Sequence, residues 1–387
     1  MVNGLEALFG AVGWFFINPL LYMLLAGLAW FGACRVRAER REFRVKVYGM
    51  FNTVFTGLGP GLLVGLAGSL LIAAAGAALR PGVLVLLCVC YLLTMCSLQL
   101  RLLSPAIAGG IAAVLAFFCP IIQTPYSWLN GWLVDIHRID FVSFGVFLTV
   151  AVLCEAGLVY FYGAKQSSPR LIPSRRGGRA GAYQIAQLWI MPLLVLVPST
   201  APLSHIGSWP FLLPSASTYG FVFLPVGAGL SGLITYALPK KAVRDIGSSL
   251  FAVAIVLAVG TTAAYFLRLP LLVVACAAAA LLSRIAFVIY QAYLCRVRPF
   301  CLMPSVRGLR VIAVLSASPG ERARVVAGEE ITAVNDQKVA SEDEFYQALQ
   351  RQAAYCKLEI VDMNGEPRIV KLPIHEGDGH HIGLLFL

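Results

Sequence analysis

Long apolar runs, separated by short and mostly basic segments, fill the first 298 residues of the chain. A helix needs about 20 apolar residues to cross a bilayer. Two of the runs, 83–100 and 185–200, are short and could be re-entrant. Together the runs predict a polytopic α-helical membrane domain of about nine helices over residues 1–298: 14–33, 54–79, 83–100, 105–122, 141–162, 185–200, 219–238, 248–267 and 269–294.

The overall composition excludes the soluble classes of protein. Hydrophobic residues make up 59% of the chain and charged residues 13%, whereas a soluble domain carries about 25% charged residues. A soluble fold needs more polar surface than this to cover its core. Soluble globular proteins, disordered proteins and secreted disulfide scaffolds are therefore excluded. The ten cysteines lack the spacing of metal ligands, so no metal or other cofactor is predicted.

Basic residues concentrate in the segments after the first, fifth, seventh and ninth runs. Cytoplasmic loops of membrane proteins carry such an excess of Lys and Arg. If nine spans are correct, these segments share one side, and residues 163–183 and 305–387 are predicted to be cytoplasmic. The C-terminal segment holds more acidic than basic residues, which argues against a nucleic-acid partner. The lipid bilayer is the partner that the basic loops predict.

Two ionisable residues fall within apolar runs, Glu155 in the fifth and Arg284 in the ninth. Charged residues inside a membrane are costly, and they are candidates for function by default. The two could pair with each other, or they could line an ion path. The sequence favours pairing, because two charges in about nine spans are few for a transporter.

Two short motifs resemble those of enzymes, but each lacks a residue that its chemistry needs. Residues 229–232 read Gly-Leu-Ser-Gly, similar to the serine motif of rhomboid-type intramembrane proteases, but Ser231 needs a histidine base and none lies in a predicted span. His375-Glu376 opens like a zinc motif, but the position of the second histidine ligand is Gly379. We therefore predict no enzyme activity and no catalytic residues.

The chain changes character after Pro299, and a linker over 299–307 leads into a small α/β domain over 308–387. Alternating apolar residues predict strands at 309–315, 330–334 and 357–361, with further strands at 368–370 and 382–387. Ser318 and Ser341 are predicted N-caps, the second of a helix over 342–351. Asn364-Gly365 predicts a hairpin turn.

This order of elements, with Ser318-Pro319-Gly320 and Gly328 to Asn335, resembles a PDZ domain of the bacterial type. Gly320 and Asp336 stand where the pattern usually has Ala and Gly. The resemblance implies a permuted domain, in which the strand of the carboxylate-binding loop comes last. It also implies a peptide-binding site formed by Ile382, Gly383, Leu384, Phe345 and Leu349, although core packing is an equal reading for Phe345. His380 and His381 border this loop and could assist carboxylate binding, but loop histidines are more often unspecialised.

A polytopic membrane part followed by one such domain resembles the MinJ family of bacterial division-site determinants. Stretches that carry this resemblance lie in both parts: 35–43, 47–51, 101–105 and 356–359. The resemblance implies a scaffold that bridges a DivIVA-like marker of membrane curvature and MinD-like partners of the division inhibitor. Other divisome membrane proteins are further implied partners, and the implied location is the cell membrane at division septa and poles.

Two other functions remain open at this point. A PDZ-regulated intramembrane protease would need a hidden base near Ser231. A transporter with a regulatory PDZ domain would need a water-filled cavity at the level of Glu155 and Arg284.

Overall fold

The computed structural model describes residues 2–43, 50–120, 124–174, 177–203, 210, 212, 218–305, 307–315, 318–351, 355–373 and 382–387. Helices within the first 298 residues are α1 Val2–Ile17, α2 Pro19–Phe43, α3 Met50–Ala75, α4 Pro81–Cys96, α5 Pro105–Phe117, α6 Ser127–His137, α7 Phe141–Tyr162, α8 Pro239–Leu267 and α9 Pro270–Val297. In the described part of the chain, five of them (α2, α3, α7, α8 and α9) are long and apolar enough to cross a membrane. The protein is therefore a multi-pass membrane protein, as predicted.

Helices α4 and α5 form a re-entrant hairpin. They have 16 and 13 residues, too few for a hydrocarbon core of about 30 Å at about 1.5 Å per residue. A short 3₁₀ turn, Leu100–Leu102, joins them, and both contact α6. One of the two short predicted runs, 83–100, thus takes the re-entrant form. The predicted span at 105–122 is wrong, because its helix is too short to cross the membrane.

The predicted spans at 185–200 and 219–238 are wrong, because these residues form strands. Strand β2 covers Arg179–Leu203 and strand β3 covers Tyr219–Ile234, and the two pair antiparallel from Tyr183 opposite Ile234 to Pro198 opposite Tyr219. At about 3.4 Å per residue the paired stretch is about 50 Å long, enough to cross a bilayer. A shorter strand, β1 Ser168–Pro173, pairs with the first residues of β2. The membrane part is thus a helical bundle built around a β-hairpin.

The helices complete the two edges of this hairpin. On the β2 edge, glycines of α3 lie against the strand: a Cβ on Gly61 would be 2.4 Å from the carbonyl oxygen of Ile190. The Ser69 hydroxyl accepts a hydrogen bond from the N–H of Leu194 and donates to the carbonyl of Pro192, both at 2.9 Å. Backbone groups exposed to lipid are not tolerated in the hydrocarbon region, so this contact with α3 is what allows a strand to lie there.

Prolines occupy the hairpin without breaking it. Pro192 lies directly opposite Pro225. The carbonyl of Pro192 bonds to Ser69 on α3, so the backbone of this residue points outward and not across the hairpin. In an antiparallel pair such outward positions make no ladder bond. Both prolines therefore stand where a missing N–H costs no bond between the strands.

Basic segments converge at one end of the bundle. Arg35, near the end of α2, donates to the hydroxyl of Ser168 at 2.7 Å and to the side chain of Gln166 at 3.2 Å, both after α7. Arg170 pairs with Glu42. These contacts agree with the common side predicted for the two segments. That this side is cytoplasmic stays a prediction.

The C-terminal residues form a separate sheet domain. Its strands are β4 Leu309–Val314, β5 Glu330–Val334, β6 Gln337–Lys338, β7 Tyr355–Val361, β8 Pro367–Pro373 and β9 Leu384–Phe386, with helices α10 Pro319–Arg322 and α11 Glu342–Gln350. The sheet order is β8-β7-β5-β4-β9, and β6 pairs with β5. Ser318 and Ser341 accept the predicted capping hydrogen bonds, from Glu321 and Glu344. The predicted strands, caps and turn are confirmed, whereas β6 was not predicted.

The sheet domain is attached to the base of the hairpin. The Tyr183 hydroxyl of β2 donates to the carbonyl of Ile312 in β4 at 2.7 Å, and the N–H of Gly181 donates to the carbonyl of Leu302 at 3.0 Å. Tyr183, Leu302 and Ile312 are buried together in one apolar cluster. The residues between the two parts therefore pack on the membrane part rather than separate it from the sheet domain.

Candidate partner-binding site

Strand β9 lies at the end of the sheet order in the described part of the chain and pairs only with β4 there. The carbonyl of Gly383 accepts a hydrogen bond from the N–H of Leu315 at 2.8 Å. Backbone groups alternate in direction along an antiparallel strand. The backbone groups of Leu384 and Phe386 therefore point away from β4, toward an edge to which an extended peptide could add as a further strand.

The loop before β9 is held by the domain itself. Gly383 has a φ of +76°, and a Cβ there would be 2.2 Å from the Cβ of Ser318. The carbonyl of Ile382 accepts from the N–H of Gly320 at 3.0 Å. Gly320 stands where the pattern usually has Ala. A Cβ on this residue would be 2.6 Å from the Cδ2 of Leu384. Glycine is thus required at 383 for its backbone conformation, whereas a side chain at 320 would require Leu384 to shift.

Phe345 and Leu349, the predicted pocket residues on α11, are buried in the core of the sheet domain together with Ile382 and Leu384. The rings of Phe345 and Phe386 are 4.7 Å apart. The structure therefore brings four of the five predicted site residues into one cluster, with Gly383 between Ile382 and Leu384 in the chain. In this cluster α11 and β9 pack against each other through their own side chains. Their side chains are only 1–5% exposed, so the structure has core packing, one of the two readings for Phe345. Contact of these residues with a peptide stays a prediction.

Two further residues shape this site and were not predicted. Tyr346 is half-buried beside Phe345, and burial together with the negative charge of Glu342 raises the pKa of its hydroxyl. Asn335 fixes α11, because its side chain donates to the carbonyl of Ala348 at 3.2 Å and accepts from the N–H of Lys357 at 2.9 Å. The sequence pattern Val-Asn after a strand marked Asn335 without indicating this role.

Strand β9 belongs to two clusters at once. Leu384 and Phe386 lie in the core of the sheet domain. Leu385 and Leu387 pack on the apolar cluster that joins the domain to the membrane part. Alternate side chains point to opposite faces of a strand, so a shift of β9 changes both interfaces. The candidate site is thus mechanically connected to the hairpin.

Glu155 and Arg284 are paired inside the membrane part. Arg284 Nη2 lies 3.2 Å from Glu155 Oε1, and the two side chains are 3% and 0% exposed, respectively. The Ser104 hydroxyl donates to Glu155 Oε2 at 2.7 Å. Arg284 also donates to the carbonyl of Gly229 on the β3 edge at 3.2 Å. The sequence left open whether these residues pair or line an ion path, and in the structure they are paired. Arg284 also gives the outer edge of β3 a hydrogen-bond partner at Gly229.

The serine motif of residues 229–232 lies in β3, where Ser231 stands opposite Ala186. A Cβ on Gly229 would be 2.2 Å from the carbonyl oxygen of Leu100, so close packing against the re-entrant turn accounts for this glycine. His375, His380 and His381 lie outside the described residues. Among the described residues, no group of three or more His, Cys, Asp or Glu could hold a metal ion.

Comparison with known proteins extends over both parts of the molecule. The cell division topological determinant MinJ of Bacillus subtilis (strain 168) is 29% identical over 391 aligned positions, which cover 99% of this chain and 96% of that protein. The chain is MinJ-like. Probable MinJ proteins of Lacticaseibacillus paracasei and Lacticaseibacillus casei (strain BD-II) are each 24% identical, over 95% of this chain and 96% of theirs. No family model matches the chain.

The resemblance to MinJ predicted from short stretches of sequence is thus confirmed. Because the alignments cover nearly the whole chain, the likeness to MinJ includes the membrane part, the junction and the sheet domain with its β9 edge.

Proposed function

We propose that the protein is a non-enzymatic membrane scaffold that acts as a cell division topological determinant. The observation that carries this proposal is the similarity to MinJ proteins along both the membrane part and the sheet domain. The name of these relatives describes a positional role and no reaction. A scaffold needs a fixed place in the membrane and a surface for partners, and the two parts of the chain are suited to these tasks.

The finer proposal concerns the partners. The scaffold bridges a DivIVA-like marker of curved membrane and MinD-like proteins, and it thereby positions the division inhibitor at septa and poles. The sheet domain acts as a PDZ-like module on the cytoplasmic side. Support comes from the β9 edge, where the backbone groups of Leu384 and Phe386 face outward and strand addition supplies affinity through main-chain bonds.

A fluorescent fusion of the full chain in Bacillus subtilis lacking its own MinJ tests the positional role. We expect fluorescence at septa and poles. We also expect septa to form at their normal positions, so that cell length returns toward normal. Uniform membrane fluorescence at normal expression, with no correction of cell length, would contradict the proposal.

Photo-crosslinking in the same cells tests the binding edge. The photo-reactive residue benzoylphenylalanine replaces Tyr346, which lies beside the buried face of α11. In a control variant it replaces Met363, which is 51% exposed in the turn between β7 and β8. We expect a DivIVA-like or MinD-like protein to be captured at 346 and not at 363. Equal capture at both positions would reject the β9 edge as the site, while septal fluorescence would still support the scaffold.

A further inference from the structure

A groove lies between the re-entrant turn and the half of α9 nearest the basic end of the bundle. It encloses about 490 Å³, and Arg101 and Arg296 contribute its two cationic side chains. Its apolar wall includes Ile285, Val288 and Ile289 of α9. Neither the ion pair nor the candidate partner-binding site uses this groove.

The two arginines lie at different depths. Arg101 follows Leu100 on the re-entrant turn, and Leu100 packs against Gly229. The carbonyl of Gly229 in turn accepts a hydrogen bond from Arg284. Arg101 therefore lies near the level of Arg284. Arg296 is twelve residues further along α9 and so about 18 Å nearer the basic end. The groove thus runs from within the bilayer toward the headgroup layer.

Both arginines are exposed on the outer surface of the bundle. The Nε of Arg101 donates to the side chain of Gln99 at 2.8 Å, a neutral partner that leaves its charge uncompensated. A guanidinium at this depth is costly unless it reaches the interface or meets an anion. The neighbouring apolar wall is also exposed, with Ile289 64% accessible. Cationic and apolar surfaces therefore lie side by side along one groove.

We propose that this groove binds an anionic glycerophospholipid from the surrounding leaflet. Guanidinium groups bind phosphate oxygens through paired hydrogen bonds, so Arg296 binds the phosphodiester at the headgroup end of the groove. The long side chain of Arg101, which lines the same groove, extends toward the same anion. The acyl chains lie along Ile285 and Ile289. Basic pockets between spanning helices on the cytoplasmic side select anionic headgroups in this way. A zwitterionic lipid would match the wall, but its cationic headgroup would add a positive charge beside the two arginines.

Native mass spectrometry of the full chain in detergent tests this proposal with added phosphatidylglycerol or phosphatidylcholine. We expect phosphatidylglycerol to bind more tightly. The double variant Arg101→Gln/Arg296→Gln should lose this preference by about tenfold, as for an interaction of about 1.4 kcal/mol. The control Arg138→Gln changes an exposed arginine beyond α6 and should keep the preference. Unchanged selectivity in the double variant, or loss of bound lipid on adding soluble glycerol phosphate, would overturn the proposal.

A second measurement keeps both arginines and so does not depend on the folding of the double variant. Tryptophan is placed at Ile289 in the groove, or at Ile255 on α8, which is 62% exposed. In mixed vesicles, brominated phosphatidylglycerol should quench the tryptophan at 289 at a lower mole fraction than brominated phosphatidylcholine does. At 255 the two lipids should quench alike. Equal quenching by both lipids at 289 would overturn the proposal.

Discussion

A single guanidinium nitrogen, Nη2 of Arg284, lies 3.2 Å from the carboxylate of Glu155 and 3.2 Å from the carbonyl oxygen of Gly229. It thereby joins α9 to α7 and to the edge of β3. Glu155 compensates the buried positive charge of Arg284. Arg284 in turn donates to the carbonyl of Gly229, which would otherwise face the helices without a hydrogen-bond partner. The ion pair is therefore part of what holds the hairpin in the membrane.

Changes at Glu155 and Arg284 should not be additive in their effect on the stability of the membrane part. Glu155→Gln leaves a buried cation, and a lone buried charge costs about 3–5 kcal/mol. The double variant Glu155→Gln/Arg284→Met should lose less than the sum of the two single variants. Thermal unfolding in detergent measures this, with Arg138→Gln as the exposed control. Strict additivity of the two single changes would contradict the coupling.

Gly61→Ala and Gly59→Ala make a matched pair on α3. A Cβ on Gly61 would be 2.4 Å from the carbonyl of Ile190, whereas nothing lies within 4 Å of one on Gly59. Overpacking costs about 1–3 kcal/mol, and Gly→Ala in a helix otherwise gains up to about 1 kcal/mol. We expect Gly61→Ala to lower the midpoint of thermal unfolding and Gly59→Ala to leave it equal or higher. Equal effects would mean that the glycine face of α3 does not seat β2.

Gly383→Ala should destabilise the sheet domain itself. Gly383 and Gly365 both have positive φ, but only at Gly383 would a Cβ meet another residue, Ser318 at 2.2 Å. Gly365→Ala therefore carries only the backbone cost, about 1–2 kcal/mol, and Gly383→Ala carries a clash in addition. Hydrogen exchange of β4 and β9 in the full chain measures the difference. Equal protection in the two variants would refute it.

This relationship changes how a Gly383 variant can be used. Since the clash is with Ser318 of the same domain, loss of partner binding on Gly383→Val would report a damaged fold as readily as a blocked site. The crosslinker at Tyr346 avoids this ambiguity, because it replaces one aromatic side chain by another.

Cys356 should be unreactive while the sheet domain is folded. Burial raises the pKa of its thiol from 9.0 to about 12, and the thiolate is the reactive form. Maleimide labelling at pH 8, located by peptide mass spectrometry, should reach Cys356 only after unfolding. A cysteine placed at Met363, which is 51% exposed in the sheet domain, should be modified in the native protein. The neutral thiol's contribution to stability is full below pH 9 and falls as the pH rises toward about 12, because the unfolded chain ionises first. Equal labelling of both cysteines in the native protein would contradict this.

The sheet domain was largely predictable from its sequence, because half-buried strands alternate between polar and apolar residues and the caps of its helices are local. Ser318 and Ser341 show this, since each caps the nitrogen three residues ahead. The backbone at Gly383 has a positive φ, which favours glycine. The neighbour that forbids a side chain there is Ser318, and no local pattern indicates a contact across 65 positions of the chain.

Hydrophobicity alone could not show whether residues 185–200 and 219–238 form a β-hairpin or two helices. Both faces of β2 are covered by helices, so its apolar residues form a continuous run without alternation. A usable signal was present in β3, where Pro225, Gly227 and Gly229 recur at every second position. This period of two places them on the outward-facing backbone positions of a strand, where lost N–H groups and absent side chains are tolerated.

The order of the chain also bears on how such a hairpin is made. A helix leaves the insertion machinery with its own hydrogen bonds complete, but a lone strand cannot enter lipid in that way. The glycine face of α3 is synthesised before β2 and can receive it as it emerges. The outer edge of β3 gains Arg284 only when α9 has been translated. Until Arg284, halfway along α9, has been translated, the carbonyl of Gly229 lacks its arginine partner. This side of the hairpin is therefore completed only after β3 and α8 have been made.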